Sequence, residues 1–131
     1  MRRILLIVDC APVRDAVARL LTTVGYEVAT APNGAEGLRL WHEAGADLVL
    51  TEILLPDMNG IEVILELRTF APRLPIVAIP GRDTHQALEL LGEAHLLGTV
   101  SLLMKPFSDQ LLAEVTKALK PDPPAEPAQT A

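Results

Sequence analysis

Short apolar runs alternate with segments of helical periodicity along most of the chain. The first run, residues 4–8, is aliphatic throughout, which is typical of a strand buried on both faces. The next segment has helical spacing and ends at Gly25, and the apolar residues predicted to share one face of its helix are Val13, Val17, Leu20, Leu21 and Val24. Repeated alternation of this kind predicts a parallel sheet with helices on both of its faces.

The same pattern predicts five strands and five helices in a single domain. The predicted strands cover residues 4–8, 26–30, 48–50, 76–79 and 100–104. The second helix is predicted to begin at Asn33-Gly34 with Leu38 and Trp41 inward, and the third to begin at Gly60. The apolar residues that mark the later helices are Ile61, Ile64, Leu65 and Leu67 in the third, Leu88, Leu91 and Ala94 in the fourth, and Leu112, Val115 and Leu119 in the fifth. Residues 26–30 alternate in polarity, which predicts an edge strand exposed on one face.

Composition excludes several classes of protein. Half of the 131 residues are hydrophobic and 21% are charged, which is typical of a globular domain, and no apolar run is long enough to span a membrane. Cys10 is the only cysteine, so neither a disulfide framework nor a Cys-based zinc site is expected, and a cytoplasmic location is the default. The 17 acidic residues outnumber the 11 basic ones, and this net charge of −6 argues against direct nucleic-acid binding.

Residues 121–131 differ in composition from the rest of the chain. They contain four prolines and few bulky side chains, which is typical of an extended linker or a disordered tail. The predicted organisation is therefore one folded domain over residues 1–120, followed by a tail over residues 121–131.

The apolar strands end at residues that could form a site. In an open parallel sheet, binding sites lie at the carboxyl ends of the strands. This rule selects Asp9, Cys10, Glu52, Pro80 and Lys105 as candidate site residues.

Five segments carry these strand ends: RILLIVD at 3–9, TAPNG at 30–34, DLVLTEILLPDMNG at 47–60, PIVAIP at 75–80 and MKPF at 104–107. In order and spacing they resemble the receiver domain of bacterial two-component response regulators, over residues 3–119. The resemblance implies an α/β fold of the flavodoxin-like type. This fold is a (βα)5 three-layer sandwich with a five-stranded parallel sheet in the order 2-1-3-4-5.

The resemblance also implies roles for the ends of the first and third strands. In the family, an acidic pair and an aspartate at these positions hold Mg²⁺, and that aspartate accepts a phosphoryl group. This chain keeps Asp9, but it has Cys10 at the position of the second acid and Glu52 at the phosphoacceptor position. These three residues are therefore expected to form the remnant of a phosphoacceptor pocket.

The later strands depart from the family in a similar way. Pro80 occupies the position of a Thr or Ser that contacts the phosphoryl group, and Leu102 occupies that of an aromatic switch residue. Lys105 and Pro106 match the lysine and proline that follow the fifth strand.

These substitutions predict a degenerate site. A neutral thiol at Cys10 is a poor ligand for Mg²⁺, which prefers oxygen. Glu52 is one methylene longer than aspartate, a displacement that can cost ~10²-fold in a positioned reaction. Pro80 offers neither a hydroxyl nor a backbone N–H. No metal or other cofactor is expected, and any Mg²⁺ held by Asp9 and Glu52 would bind weakly.

The resulting hypothesis is a non-catalytic pseudo-receiver that acts as an interaction module independently of phosphorylation. An ion pair between Glu52 and Lys105 would imitate part of the phosphoryl–lysine contact. The alternative is a working phosphoacceptor domain of a phosphorelay, which would use Glu52 or Asp57. A flavin- or nucleotide-binding protein is disfavoured, because no Gly-rich loop follows the first strand.

Other interpretations of single residues stay open. Asp9 could cap the first helix, and Glu52 could be a solvated loop acid. Cys10 is interpreted as a small buried filler, with redox sensing as a minority alternative. Asp57 is predicted to lie at the surface. By analogy with the family, a protein partner is expected on the face formed by the fourth helix, fifth strand and fifth helix.

Overall fold

The computed structural model describes residues 2–80, 84–98 and 100–101, in which strands and helices alternate along the chain. The elements are β1 (Arg3–Ile7), α1 (Ala11–Thr23), β2 (Glu27–Ala31), α2 (Gly34–Ala44), β3 (Leu48–Glu52), α3 (Gly60–Phe70), β4 (Ile76–Ile79), α4 (Thr84–Leu96) and β5 (Val100–Ser101). The strands form one parallel sheet in the order β2-β1-β3-β4-β5, which confirms the predicted architecture. The predicted fifth helix and the tail over residues 121–131 lie outside the described residues.

Two apolar clusters cover the two faces of the sheet. Alternate residues of β1 point to opposite faces, as the pleat of a strand requires. Leu5 and Ile7 join a cluster with buried residues of α2, α3 and α4. Ile4 and Leu6 join a second cluster with residues of α1. Within the described residues, no helix is long and apolar enough to cross a membrane.

The prediction that β2 is an edge strand is confirmed by the sheet order, but the prediction that it is exposed on one face is wrong. Ala29 packs against the cluster beneath α2, whereas Val28 packs against the cluster beneath α1. Both side chains are half-buried, and Thr30 is the exposed residue near the end of this strand. At this edge of the sheet, α2 covers one face of β2 and α1 covers the other, so the alternation in polarity did not indicate a solvated face.

Asparagine side chains stabilise the starts of α2 and α3. Asn33 accepts a hydrogen bond from the backbone N–H of Glu36 at 2.8 Å. Asn59 accepts one from Ile61 at 2.7 Å and forms a capping box with Glu62. The predicted starts of both helices are thus confirmed. Among the apolar residues predicted for α3, Ile64 and Leu67 are buried, whereas Leu65 is 49% exposed.

Arg68 joins the end of α3 to the end of α4. Its guanidinium donates hydrogen bonds to the carbonyl oxygens of Leu97 at 2.7 Å and Leu74 at 2.6 Å. It also donates to Gly98 at 3.3 Å and to Ala71 at 3.4 Å. Burial lowers the pKa of Arg68. One planar side chain therefore satisfies carbonyl oxygens in the turns that follow α3 and α4.

Replacing Arg68 with methionine is expected to lower the free energy of unfolding by about 2 kcal/mol, because half-buried carbonyl oxygens lose charged donors. Urea denaturation followed by circular dichroism measures this loss. Arg73→Met is the control, since Arg73 is exposed and makes no hydrogen bond with the described residues. Equal stability of the two variants would contradict the assigned role of Arg68.

Candidate functional site at the strand ends

The ends of β1 and β3 bring two of the candidate residues together. These strands are adjacent in the sheet, with Ile7 beside Thr51. Asp9 follows β1, and its backbone N–H donates a hydrogen bond to Oε1 of Glu52 at 2.8 Å. Two of the residues that the strand-end rule selected therefore lie side by side, joined through the main chain of Asp9 and the carboxylate of Glu52.

Glu52 is held in the sheet and is not a loop residue. It is only 6% exposed, and all five residues of β3 are buried. Its carbonyl oxygen accepts a hydrogen bond from the Thr51 hydroxyl at 2.9 Å. The backbone N–H of Ile53 donates to the Ile79 carbonyl at 2.8 Å, so pairing with β4 continues beyond Glu52. The interpretation of Glu52 as a solvated loop acid is therefore wrong.

Cys10 begins α1 from an exposed position. Its backbone is extended, with φ −74° and ψ 114°, and its side chain makes no capping hydrogen bond. The interpretation of Cys10 as a buried filler is wrong, because the thiol is exposed. Pro12 follows in the first turn of α1, where the N–H that proline lacks would have no partner within the helix. The N-cap position is also Cys10 and not Asp9.

Arg14 supports the turn between β1 and α1. Its guanidinium donates to the carbonyl oxygens of Val8 at 2.8 Å and Asp9 at 3.0 Å. The backbone N–H of Arg14 also donates to the Cys10 carbonyl at 2.8 Å. Sequence analysis did not assign this role. A basic residue in the first helical turn after a strand end is the signal that could have indicated it.

Pro80 lies where the prediction placed it, directly after β4. The residue is buried. The register of the sheet sets Glu52 beside Ile79, so Pro80 follows the residue adjacent to Glu52. A buried residue without an N–H donor or a hydroxyl at this position cannot donate a hydrogen bond to an anion.

The loop between β3 and α3, residues 53–59, turns back on itself. Leu54 and Asn59 form an isolated antiparallel bridge, and the N–H of Gly60 donates to the Ile53 carbonyl at 2.8 Å. Asp57 lies at the tip of this loop, where its exposed side chain binds the start of α2. The structure therefore separates Asp57 from Glu52 and gives the two acids different partners.

The described strand ends offer few of the ligands that Mg²⁺ prefers. This ion requires near-octahedral oxygen ligands, and Asp9 and Glu52 are the two carboxylates present at the described strand ends. Within that part of the chain, no group of three or more His, Cys, Asp or Glu side chains could hold a metal ion. Leu102, Lys105 and Pro106 lie outside the described residues, so the expected Glu52–Lys105 ion pair stays a prediction.

Comparison with known proteins identifies relatives that cover nearly the whole chain. The family model for the response regulator receiver domain matches residues 4–117. Chemotaxis protein CheY of Thermotoga maritima is 32% identical over 114 residues, which cover 86% of this chain and 92% of that protein. Transcriptional regulatory protein GlrR of Escherichia coli is 32% identical over 123 residues. That match covers 92% of this chain but only 27% of GlrR.

Solved structures agree with this relationship. A response regulator receiver domain protein from Clostridium thermocellum superposes with a TM-score of 0.83 at 25% sequence identity. The match covers 92% of this chain and 95% of that chain. The structural likeness therefore extends over most of both chains.

Proposed function

The chain belongs to the response-regulator receiver family, and on that basis we propose that it is a signal-transduction domain that works by binding a protein partner and not by accepting a phosphoryl group. In this proposal Glu52 occupies the phosphoacceptor position without serving as an acceptor. The domain then has no catalytic activity of its own and needs no cofactor.

The observation that carries this proposal is the environment of Glu52. Its carboxylate is buried and accepts a hydrogen bond from the backbone N–H of Asp9. Phosphoryl transfer depends on placing an attacking oxygen in line with the donor and on neutralising the charge that develops. A carboxylate engaged by the main chain, in a strand with no exposed residue, meets the first requirement poorly.

The neighbouring substitutions support the same proposal. The exposed Cys10 thiol is a weaker ligand for a hard cation than the carboxylate expected at this position. The buried Pro80 has no donor for a phosphoryl oxygen. The change at Cys10 weakens charge neutralisation, and the change at Pro80 removes a hydrogen-bond donor. Both are expected to disfavour phosphoryl transfer further, in addition to the effect of Glu52.

A protein is the proposed partner. The net charge of −6 disfavours nucleic acid as a direct ligand. The proposed surface is the one formed by α4, β5 and the helix expected after it. In its described part, α4 presents the exposed residues Glu89 and Glu93, and Leu96 is 84% exposed. The choice of this surface rests on analogy with the family.

Incubation with acetyl phosphate and Mg²⁺ tests the proposal directly. Intact-protein mass spectrometry is expected to detect no phosphoryl group on the wild-type chain, because Glu52 is buried and engaged. Glu52→Asp, analysed in parallel, is expected to gain at most a trace, since Cys10 and Pro80 are unchanged in this variant. The protein partner would then be sought by pull-down from a lysate.

A phosphoryl adduct on the wild-type chain would overturn the proposal. The alternative function, a working phosphoacceptor domain of a phosphorelay, would then hold. Peptide mapping would distinguish Glu52 from Asp57 as the carrier. The variants Glu52→Gln and Asp57→Asn provide the matched controls, because each removes one acid and keeps the size of the side chain.

A further inference from the structure

The N-terminus of α2 is bound by a side chain from a distant loop. Oδ1 of Asp57 accepts a hydrogen bond from the backbone N–H of Gly34 at 2.9 Å, and Oδ2 accepts one from Ala35 at 2.8 Å. The first N–H groups of a helix have no partners within the helix, and its N-terminus attracts negative charge. The Asp57 carboxylate therefore satisfies two such N–H groups, and it lies 22 residues beyond Ala35 in the sequence.

We propose that Asp57 is an internal clasp that holds the β3–α3 loop closed on the N-terminus of α2, and that loss of its charge opens this loop. The Asp57 clasp is defined here as the two hydrogen bonds from Gly34 and Ala35 to the Asp57 carboxylate. It would operate whether or not Glu52 accepts a phosphoryl group, so it does not depend on the proposed function.

Packing around the Asp57 clasp leaves little room between the loop and the helix. Met58 lies directly against Gly34, since a Cβ atom added to Gly34 would come within 2.5 Å of the Met58 side chain. Leu54 and Leu55 are also half-buried and pack against the cluster beneath α2 and α3. If the loop opened, these apolar side chains would become exposed to solvent or to a partner.

The loop connects the Asp57 clasp to the end of β3. Ile53 follows Glu52 directly and accepts the Gly60 N–H, and the Leu54–Asn59 bridge closes the loop into a ring. Movement of Asp57 away from α2 would therefore act on the residues that follow Glu52. Through the Asp57 clasp, a change in the position of α2 is expected to affect the strand-end site.

The other ends of α2 and α3 have their own connection. His42 of α2 lies 2.6 Å from Glu66 of α3, between Nε2 and Oε2. The rings of His42 and Phe70 pack edge to face at 5.0 Å. Opening at the Asp57 clasp would thus separate one end of the helix pair and leave the opposite end joined.

Electrostatics favour the charged form of Asp57. Burial alone would raise the pKa of Asp57, but the backbone N–H groups of Ala35 and Gly34, together with those of Asp57 and Met58, outweigh it and lower the pKa. The other charged groups in these first turns are Glu36 of α2, which pairs with Arg39, and Glu62 of α3, which accepts from the Asn59 N–H.

The sign of the pH dependence follows from that lowered pKa. The stabilisation is fully present above the unfolded-state pKa of about 4 and is lost as the pH falls through the lower folded-state value. Acid is therefore expected to open the clasp. The amide resonances of Gly34 and Ala35 should shift along one titration curve in acid, measured by NMR on the wild-type chain. Asp57→Asn should abolish that shift.

Hydrogen exchange at a fixed neutral pH tests the opening itself. In Asp57→Ala, peptides covering residues 53–60 and the first turn of α2 are expected to exchange about fivefold faster than in the wild type. Asp57→Asn keeps one acceptor oxygen and should give a smaller increase. Asp15→Ala is the control, because it removes the same charge from an exposed position on α1.

Two results would overturn the clasp. Faster exchange in the first turn of α2 with unchanged exchange in residues 53–60 would make Asp57 a helix cap only. Gly34 and Ala35 resonances that do not titrate in the wild-type chain would show that the carboxylate does not bind them. The NMR titration of Gly34 and Ala35 needs no variant, so it tests the Asp57 clasp even if Asp57→Ala fails to fold.

Discussion

Replacing Gly60 with alanine is expected to lower the free energy of unfolding by about 2–3 kcal/mol, the range typical of an overpacked site. A Cβ atom at Gly60 would lie 2.7 Å from the Cα atom of Ile53 and 2.8 Å from the carbonyl oxygens of Glu52 and Ile53. All three contacts are with backbone, which cannot move aside as a flexible side chain can. The chain would have to shift where β3 ends, so the position of Glu52 should change as well.

Gly92→Ala provides a matched control for this prediction. Gly92 lies within α4, and an added Cβ atom there would meet nothing within 4 Å. Alanine is the better helix former, so this variant is expected to gain about 0.5–1 kcal/mol. Urea denaturation of both variants measures the difference. Similar stability of Gly60→Ala and wild type would show that the loop can move without cost.

The fold could be predicted because strand–helix alternation is a local property of the sequence. β4 was predicted with the bounds that the structure gives, since an apolar run between prolines has clear limits. The start of α3 was also predicted, because Gly60 precedes a run of apolar residues at helical spacing. Sheet order followed from the resemblance to receivers and not from the pattern itself.

The exposure of individual residues was harder to predict, because it depends on what packs against each element. Leu65 belongs to the apolar residues that predict α3, yet it is exposed, whereas the neighbouring Val63 and Ile64 are buried. Residues of β2 alternate in polarity, yet helices cover both of its faces. The spacing of apolar residues describes one helix or strand alone, whereas the burial of each side chain depends on the elements that pack against it.

The candidate site was predicted in position but not in its contacts. The strand-end rule selected Asp9 and Glu52, and the structure joins them. The donor, however, is the main-chain N–H of Asp9, and no sequence pattern specifies such a bond. The same limit applies to Asp57 and Arg14, whose partners are backbone groups. A hydrogen bond from a side chain to the main chain is hard to predict from residue types, because a residue of any type can provide the backbone partner.

A triple variant carrying Cys10→Asp, Glu52→Asp and Pro80→Thr is expected to accept a phosphoryl group from acetyl phosphate at least ~10²-fold faster than the wild-type chain. The first change supplies a carboxylate where the thiol is exposed. Aspartate is also a favoured N-cap residue, so it should be tolerated at the start of α1. Glu52→Asp shortens the acid by one methylene, and Pro80→Thr supplies a hydroxyl. Mass spectrometry in the presence of Mg²⁺ measures the adduct.

The matched control for the triple variant carries Cys10→Asn, Glu52→Asn and Pro80→Thr. It has side chains of nearly the same size but lacks both introduced carboxylates, so it should gain no phosphoryl group. Labelling of the triple variant should also require Mg²⁺, because the two aspartates and Asp9 would then offer a set of oxygen ligands. If the triple variant stays as unreactive as the wild type, these three substitutions do not account for the loss of phosphorylation. If the wild type already reacts at the same rate, they do not disable the site at all.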